Sequence, residues 1–167
     1  MTKWIVSAVA ILCWSTFVCA GSADGEAAYN RGDYPTAFLA FKQAAEQGNV
    51  VAQYYLAQMY REGQGVTRDG LLAMKWLHRA AEQGYAVAAL SLGFMYYKGE
   101  GVSRDFVQAY MWLDFAASQT AYRTKRDAIR EDRDKVAALM TSAQIAQAQY
   151  FSRQMVLKIT GPHCDVG

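Results

Sequence analysis

Proline is scarce: only Pro35 and Pro162 occur in 167 residues. Since proline breaks helices and marks loops, its rarity leaves long stretches free to coil, and the abundance of Ala, Gln, Tyr, Leu and Met favours helix. Charge of either sign is also in short supply. The formal net charge is +2, which gives the chain no electrostatic reason to bind nucleic acid or anionic lipid. Cysteine is limited to Cys13, Cys19 and Cys164, and histidine to His78 and His163. Neither Ser-x-x-Lys nor Gly-x-Ser-x-Gly occurs, so two common nucleophile motifs are excluded.

What is present begins with an apolar leader. Residues 1–20, MTKWIVSAVAILCWSTFVCA, place Lys3 before an uncharged run from Trp4 to Val18, and Val18-Cys19-Ala20 offers small residues to a signal peptidase. The run is shorter than the ~20 residues needed to span a bilayer. No Leu stands three residues before Cys13 or Cys19, which argues against a lipoprotein signal. The expectation is a cleaved signal peptide, a periplasmic or secreted chain starting at Gly21, and no membrane insertion after cleavage. Cys13 and Cys19 would then leave with the leader, removing any basis for a disulfide framework or a paired-cysteine metal site.

The body of the chain repeats. Residues 44–79 and 80–115 align without a gap and agree at 18 of 36 positions. Both carry AAEQG, a Met-Tyr pair, GxGV and Trp-Leu at one offset. Ala52, Leu56, Met59 and Tyr60 recur as Ala88, Leu92, Met95 and Tyr96. That spacing of i, i+4, i+7 and i+8 is one face of an α-helix. Ala73, Trp76, Leu77 and Ala80 recur as Ala109, Trp112, Leu113 and Ala116, the face of a second helix that puts both tryptophans in the core. Asp69 and Asp105 sit at N-cap positions, and Gly48 and Gly84 lie just past second helices.

The stretch GQGVTRD at 63–69, repeated as GEGVSRD at 99–105, has the glycines of a phosphate loop. A phosphate loop needs a preceding strand and a Lys or Ser/Thr aimed at the anion; these stretches are flanked by helices. Each offers about two carboxylates, too few for a calcium hand. They are read as turns.

The period runs backward as well, so DYPTAFLAFKQAAEQG belongs to a partial repeat over residues 21–48 whose short first helix lies around Ala23–Arg31. Forward it breaks: Thr120 replaces the expected glycine, and RTKRDAIREDRDK holds six basic and four acidic residues. Arg130–Asp134 and Glu131–Lys135 are spaced to support an exposed helix, and Thr141 with Gln144 forms a capping box. Residues 116–158 are read as divergent capping helices and 159–167 as a tail.

The motifs AAEQG at 80–84, Leu92-Gly93-x-Met95-Tyr96, Gly99-x-Gly101-Val102-x-Arg104-Asp105 and Ala109-x-x-Trp112-Leu113 resemble the Sel-one-like repeat family, relatives of the tetratricopeptide repeat. The resemblance implies an all-α, right-handed solenoid of helix-turn-helix repeats. It also implies a non-catalytic protein-binding scaffold, adaptor or regulator of the bacterial envelope, with no cofactor. Members rich in cysteine carry a disulfide in each repeat; this chain lacks those cysteines.

Candidate functional residues are few. His78 shares its slot with Lys42 and Asp114, so it is expected to face solvent. His163 and Cys164 stand together in GPHCDVG as a lone pair in a tail, read as incidental rather than as a metal or redox site. No catalytic, metal-binding or cofactor-binding residue is assigned. Off the repeated core face lie Tyr54, Gln58 and Arg61 on one first helix and Leu90, Phe94 and Tyr97 on the next. First helices line the inner surface of such solenoids, and aromatic residues and Arg often dominate binding energy. These six form the expected partner surface for another protein or peptide. The alternative is an aromatic-lined surface that binds peptidoglycan or polysaccharide.

Overall fold

The computed structural model describes residues 22–161. The leader, its cleavage point after Ala20, and the His163–Cys164 pair lie outside the described residues. Every regular element among those described is a helix, and the chain divides into two compact units at Ala73/Met74.

The first unit contains α1 (residues 22–30), α2 (Tyr34–Glu46), α3 (Val50–Glu62) and the first residues of α4 (Gly70–Glu82). Its core is small alanines around a few large side chains: Ala28, Ala37, Phe41, Ala44, Ala45, Ala52, Leu56, Ala57 and Met59 are all buried. Phe41 stacks on Tyr55 with ring centroids 4.8 Å apart, and Tyr29 closes on the pair at 5.4 Å from Tyr55. Gly25 permits this, because a Cβ there would come within 2.7 Å of the Phe41 ring. The Tyr29 hydroxyl donates to Gln64 Oε1 at 2.8 Å, which fixes the turn after α3 against α1.

The second unit contains the rest of α4, then α5 (Ala86–Lys98), α6 (Phe106–Gln119), α7 (Arg123–Ala137) and α8 (Ser142–Thr160). Helix α6 is its axis. It packs on α5, α7 and α8, and buries Ala109, Tyr110, Met111, Trp112, Leu113, Phe115, Ala116 and Ala117. A helix apolar around most of its circumference needs neighbours on several sides, and these three supply them. Gly93 of α5 lets Leu113 approach, since a Cβ would lie 2.7 Å from Leu113 Cγ.

The repeated loops fold alike. Gly63 (φ 74°) and Gly99 (φ 77°) end α3 and α5 in the left-handed region, where glycine lacks the Cβ penalty of other residues. Their amides donate to the Met59 and Met95 carbonyls at 2.8 Å. The amides of Asp69 and Asp105 reach back to Tyr60 and Tyr96 carbonyls, at 2.8 and 3.0 Å. The Asp69 carboxylate then caps α4 by accepting from Leu72 N at 2.9 Å, and Asp105 caps α6 by accepting from Gln108 N at 3.0 Å. The loop backbone is thus turned inward on itself.

Three expectations need correction. Helix α8 runs to Thr160, past the start assigned to the tail, because half-buried Val156 and Ile159 give its last turns an apolar face to pack. The charge pairs on α7 differ: Arg130 and Arg123 both meet Asp127, at 3.7 and 3.8 Å, and Lys135 meets Asp132 at 2.7 Å. Arg133 turns off the helix to Asp114 of α6 at 2.7 Å. The third concerns His78. It is half-buried, edge-on to Trp112 with centroids 5.0 Å apart, and its Nε2 lies 3.4 Å from the Tyr96 hydroxyl. The physical reason appears at the equivalent Asp114, which meets Arg133 of α7 and Ser152 of α8. In α4 and α6 this slot faces the following helix pair rather than solvent, whereas Lys42 is exposed.

Candidate functional site: an apolar groove between α5 and α7

A groove of about 500 Å³ in the second unit could receive a ligand. One wall is the start of α5, with Ala86, Val87 and Leu90; the floor is the α6–α7 turn from Gln119 to Tyr122; the other wall is Lys125, Ala128, Ile129 and Asp132 of α7. The α7 wall runs from Lys125 to Asp132, eight residues, or about 10 Å at helical rise. Val87 and Tyr122 are exposed, at 42% and 73%, so apolar surface stands open to solvent at the rim.

Local sequence explains the opening. Gly48 and Gly84 take positive φ after α2 and α4, but α6 ends on Thr120 in extended backbone. The Thr120 hydroxyl donates to the Ala116 carbonyl at 2.7 Å. The chain therefore leaves α6 extended through Ala121 and Tyr122 before α7 begins. Ile129 and Val136 are the buried residues of α7, which leaves Ala128 and the Lys125 stem facing the groove.

The electrostatics are one-sided. Helix α5 has no acidic residue. The Lys125 ammonium lies 5.6 Å from the Tyr122 ring centroid and has no ion pair among the described residues. Asp132, the one acidic lining residue, is already held by Lys135 at 2.7 Å. No side-chain cap closes the N-terminus of α5 or of α7, so both keep the partial positive charge of unsatisfied amides. The groove is apolar with a positive end.

The expected partner residues fall as follows. Leu90 lines the groove. Phe94 is half-buried, and Tyr97 is exposed, its ring 6.1 Å from Phe106. In the first unit Tyr54, Gln58 and Arg61 are half-buried. Gln58 Nε2 donates to the Tyr54 hydroxyl at 2.8 Å, and Arg61 pairs with Glu62 at 3.2 Å. Sequence reasoning missed Val87, Tyr122, Lys125 and Ala128. The loss of glycine at Thr120 was the available signal, because it marks where the repeat geometry is abandoned.

The second-helix tryptophans are core residues: Trp76 is 8% exposed, beneath the Arg79 guanidinium at 4.6 Å, and Trp112 is 2% exposed. Burial lowers the His78 pKa from its ordinary value, outweighing the opposite pull of Glu82. Among the described residues no three His, Cys, Asp or Glu side chains cluster as metal ligands, and no helix is long and apolar enough to cross a membrane.

Sel1 repeats match residues 28–49, 50–85 and 86–120, more than half of the chain. The chain belongs to the Sel1 repeat family. Sel1 repeat proteins generally mediate protein–protein interaction, on an all-α solenoid that is in general a non-catalytic fold. The structure is similar to a protective antigen of uropathogenic Escherichia coli displaying an SLR fold, at 32% identity and TM-score 0.77, covering 85% of this chain and 30% of that one. It is also similar to a Sel1 repeat protein from Oxalobacter formigenes, at 35% identity and TM-score 0.56, covering 59% of this chain and 40% of that one. The chain therefore spans less than half the length of either solved protein. No curated protein matches it significantly.

Proposed function

We propose that this Sel1 repeat chain is a non-catalytic adaptor or regulator of the bacterial envelope, exported by cleavage after Ala20, that holds another protein or peptide in the α5–α7 groove. The observation that carries this reading is the groove itself: an open, mostly aliphatic channel of about 500 Å³ on a family fold that generally binds proteins. Helical or extended peptides dock into such channels through a few apolar anchors. Among the described residues Tyr122 is the only aromatic one on the lining, which favours a peptide over a stacked glycan. Leu90, Phe94 and Tyr97 would extend this surface along α5, and Tyr54, Gln58 and Arg61 would serve in the first unit.

The test places a photo-crosslinking residue at Val87 in the full-length chain, expressed in a bacterial host with a periplasm. The expected result is a discrete protein adduct in the periplasmic fraction, lost when Leu90→Glu is added, and an intact mass beginning at Gly21. Retention of residues 1–20 would remove the export reading. Adducts that survive Leu90→Glu would remove the groove. Purified protein titrated with peptidoglycan fragments is expected to show no change in tryptophan or tyrosine fluorescence; saturable quenching would transfer the function to glycan binding.

A further inference from the structure

Resting on the reading of this groove as the partner site, we infer that its occupant is an acidic, amphipathic peptide segment, with aliphatic side chains on Leu90, Ala128 and Ile129 and a carboxylate on the Lys125 ammonium. The argument is complementarity. The walls between Ala86 and Ile129 are almost wholly aliphatic, so burying one or two Leu- or Val-sized side chains is favourable. The charge at the groove is uncompensated on one side only. Lys125 has the Tyr122 ring and, among the described residues, no carboxylate partner. Asp132 is neutralised by Lys135, and Asp127 by Arg123 and Arg130. A basic segment would find no free carboxylate on the lining and would meet Lys125 and the positive helix ends. An acidic one finds an unpaired cation beside an apolar channel, where a charge pair steers docking and sets orientation. Lys125 and Asp132 lie seven residues apart on α7, about 10 Å, so a segment of two to three helical turns can span both ends.

The exit of α8 also bears on the occupant. A Cβ on Gly84 would lie 3.8 Å from Ile159 and 3.6 Å from Gln119, and Gln119 belongs to the groove. Ile159, near the end of α8, therefore lies close to Gln119, and the sequence continues beyond Gly161 through residues 162–167, which include Asp165 and Val166. They are the competing occupant to be separated from a foreign segment.

Two fluorescein-labelled twelve-residue peptides serve as probes. Both have Leu at i, i+4 and i+7; one carries Glu at the flanking positions and the other Lys. Fluorescence anisotropy is measured with the full mature chain, with Lys125→Glu, with Val87→Glu, and with a chain ending at Gly161. Both substitutions fall on exposed residues, and unchanged melting temperatures establish that the variants fold. The Glu peptide is expected to bind at least tenfold more tightly than the Lys peptide, with affinity falling as salt rises. Lys125→Glu should invert that preference, and Val87→Glu should weaken both peptides. Equal affinity of the two peptides, with Val87→Glu still weakening them, overturns the acidic occupant and leaves the groove standing. Binding unaffected by Val87→Glu overturns the groove and the occupant together. Absence of binding by either peptide at millimolar concentration to any of the four chains overturns the inference. A tenfold or greater gain in affinity on removing residues 162–167 reassigns the groove to this chain's own terminus.

Discussion

Asp114→Ala should loosen the closing helices. The carboxylate joins three elements: its Oδ1 accepts from Arg133 Nη1 of α7 at 2.7 Å, and its Oδ2 accepts from the Ser152 hydroxyl of α8 at 2.8 Å. The Arg and Asp side chains are 21% and 26% exposed, so solvent screens the ion pair and its loss costs about 1 kcal/mol. Ser152 is only 2% exposed. Without its acceptor, the stranded hydroxyl costs a further 1–2 kcal/mol or so. Arg133 keeps Asp134 at 2.7 Å, so no charge is abandoned. The expected total is about 2–3 kcal/mol, or a fall in melting temperature of roughly 5–10 °C for a chain of this size. Ser152→Ala alone should cost about 1 kcal/mol. The double variant should cost less than the sum, because the hydroxyl has nothing to bond once Asp114 is gone. Hydrogen exchange should show faster exchange in α7, the mobile consequence of cutting its anchor. A melting shift of under 1 °C for Asp114→Ala, or strict additivity in the double variant, would refute the proposed clasp.

The helices, their caps and the turns were legible in the sequence because each rests on short-range rules. Asp69 and Asp105 bond the first-turn amides they were expected to bond. Thr141 and Gln144 close the capping box reciprocally. Leu56 and Leu92 are fully buried on the repeated face. Side-chain direction across helices was not legible. His78 read as a solvent slot because its counterparts are Lys42 and Asp114, a polarity that signals solvent only if the slot faces away from the stack. Arg130 and Lys135 likewise had several carboxylates within a turn, and spacing alone does not choose among them.

Of the residues that line the groove, Leu90 alone was named from the sequence, for a related reason. Leu90 could be placed because α5 is periodic, and periodicity tells which face is left over once the core is assigned. The α7 wall belongs to no repeat, and its charged sequence reads as solvated. Only packing shows that Ile129 and Val136 turn inward and thereby leave Ala128 and the Lys125 stem facing α5. Where the repeat is obeyed, Gly84 carries the chain from α4 toward α5 in positive φ. Where it fails, Thr120 bonds back to Ala116 and the extended turn after it forms the groove's floor. The departure from the pattern is what creates the opening.

Other outcomes test the remaining links. Asp105→Ala should cost about 1 kcal/mol through loss of the α6 cap; an unchanged denaturation midpoint would remove that role. Gly101 sits at φ 81°, so Gly101→Val should destabilise more than Glu100→Val, and the reverse order would contradict the turn. His78 stays neutral when folded more readily than when unfolded, because burial lowers its pKa. Below about pH 6.5 the unfolded chain therefore binds a proton that the folded chain does not, so stability should fall with pH until the folded histidine also protonates. His78→Gln should flatten that slope in pH-resolved melts, and an identical slope would assign it to other groups. The last test separates the partner surface from the core on α5. Leu92 is 0% exposed, so Leu92→Glu buries a charge without a partner and should cost several kcal/mol, roughly 3 or more. Phe94 is half-buried on the face beside Leu90, so a glutamate there can reach water and should cost about 1 kcal/mol or less. Thermal melts of the two variants side by side decide the matter, with far-UV circular dichroism as the check on helicity. If both collapse equally, Phe94 is core, and the surface on α5 shrinks to Leu90 and Tyr97.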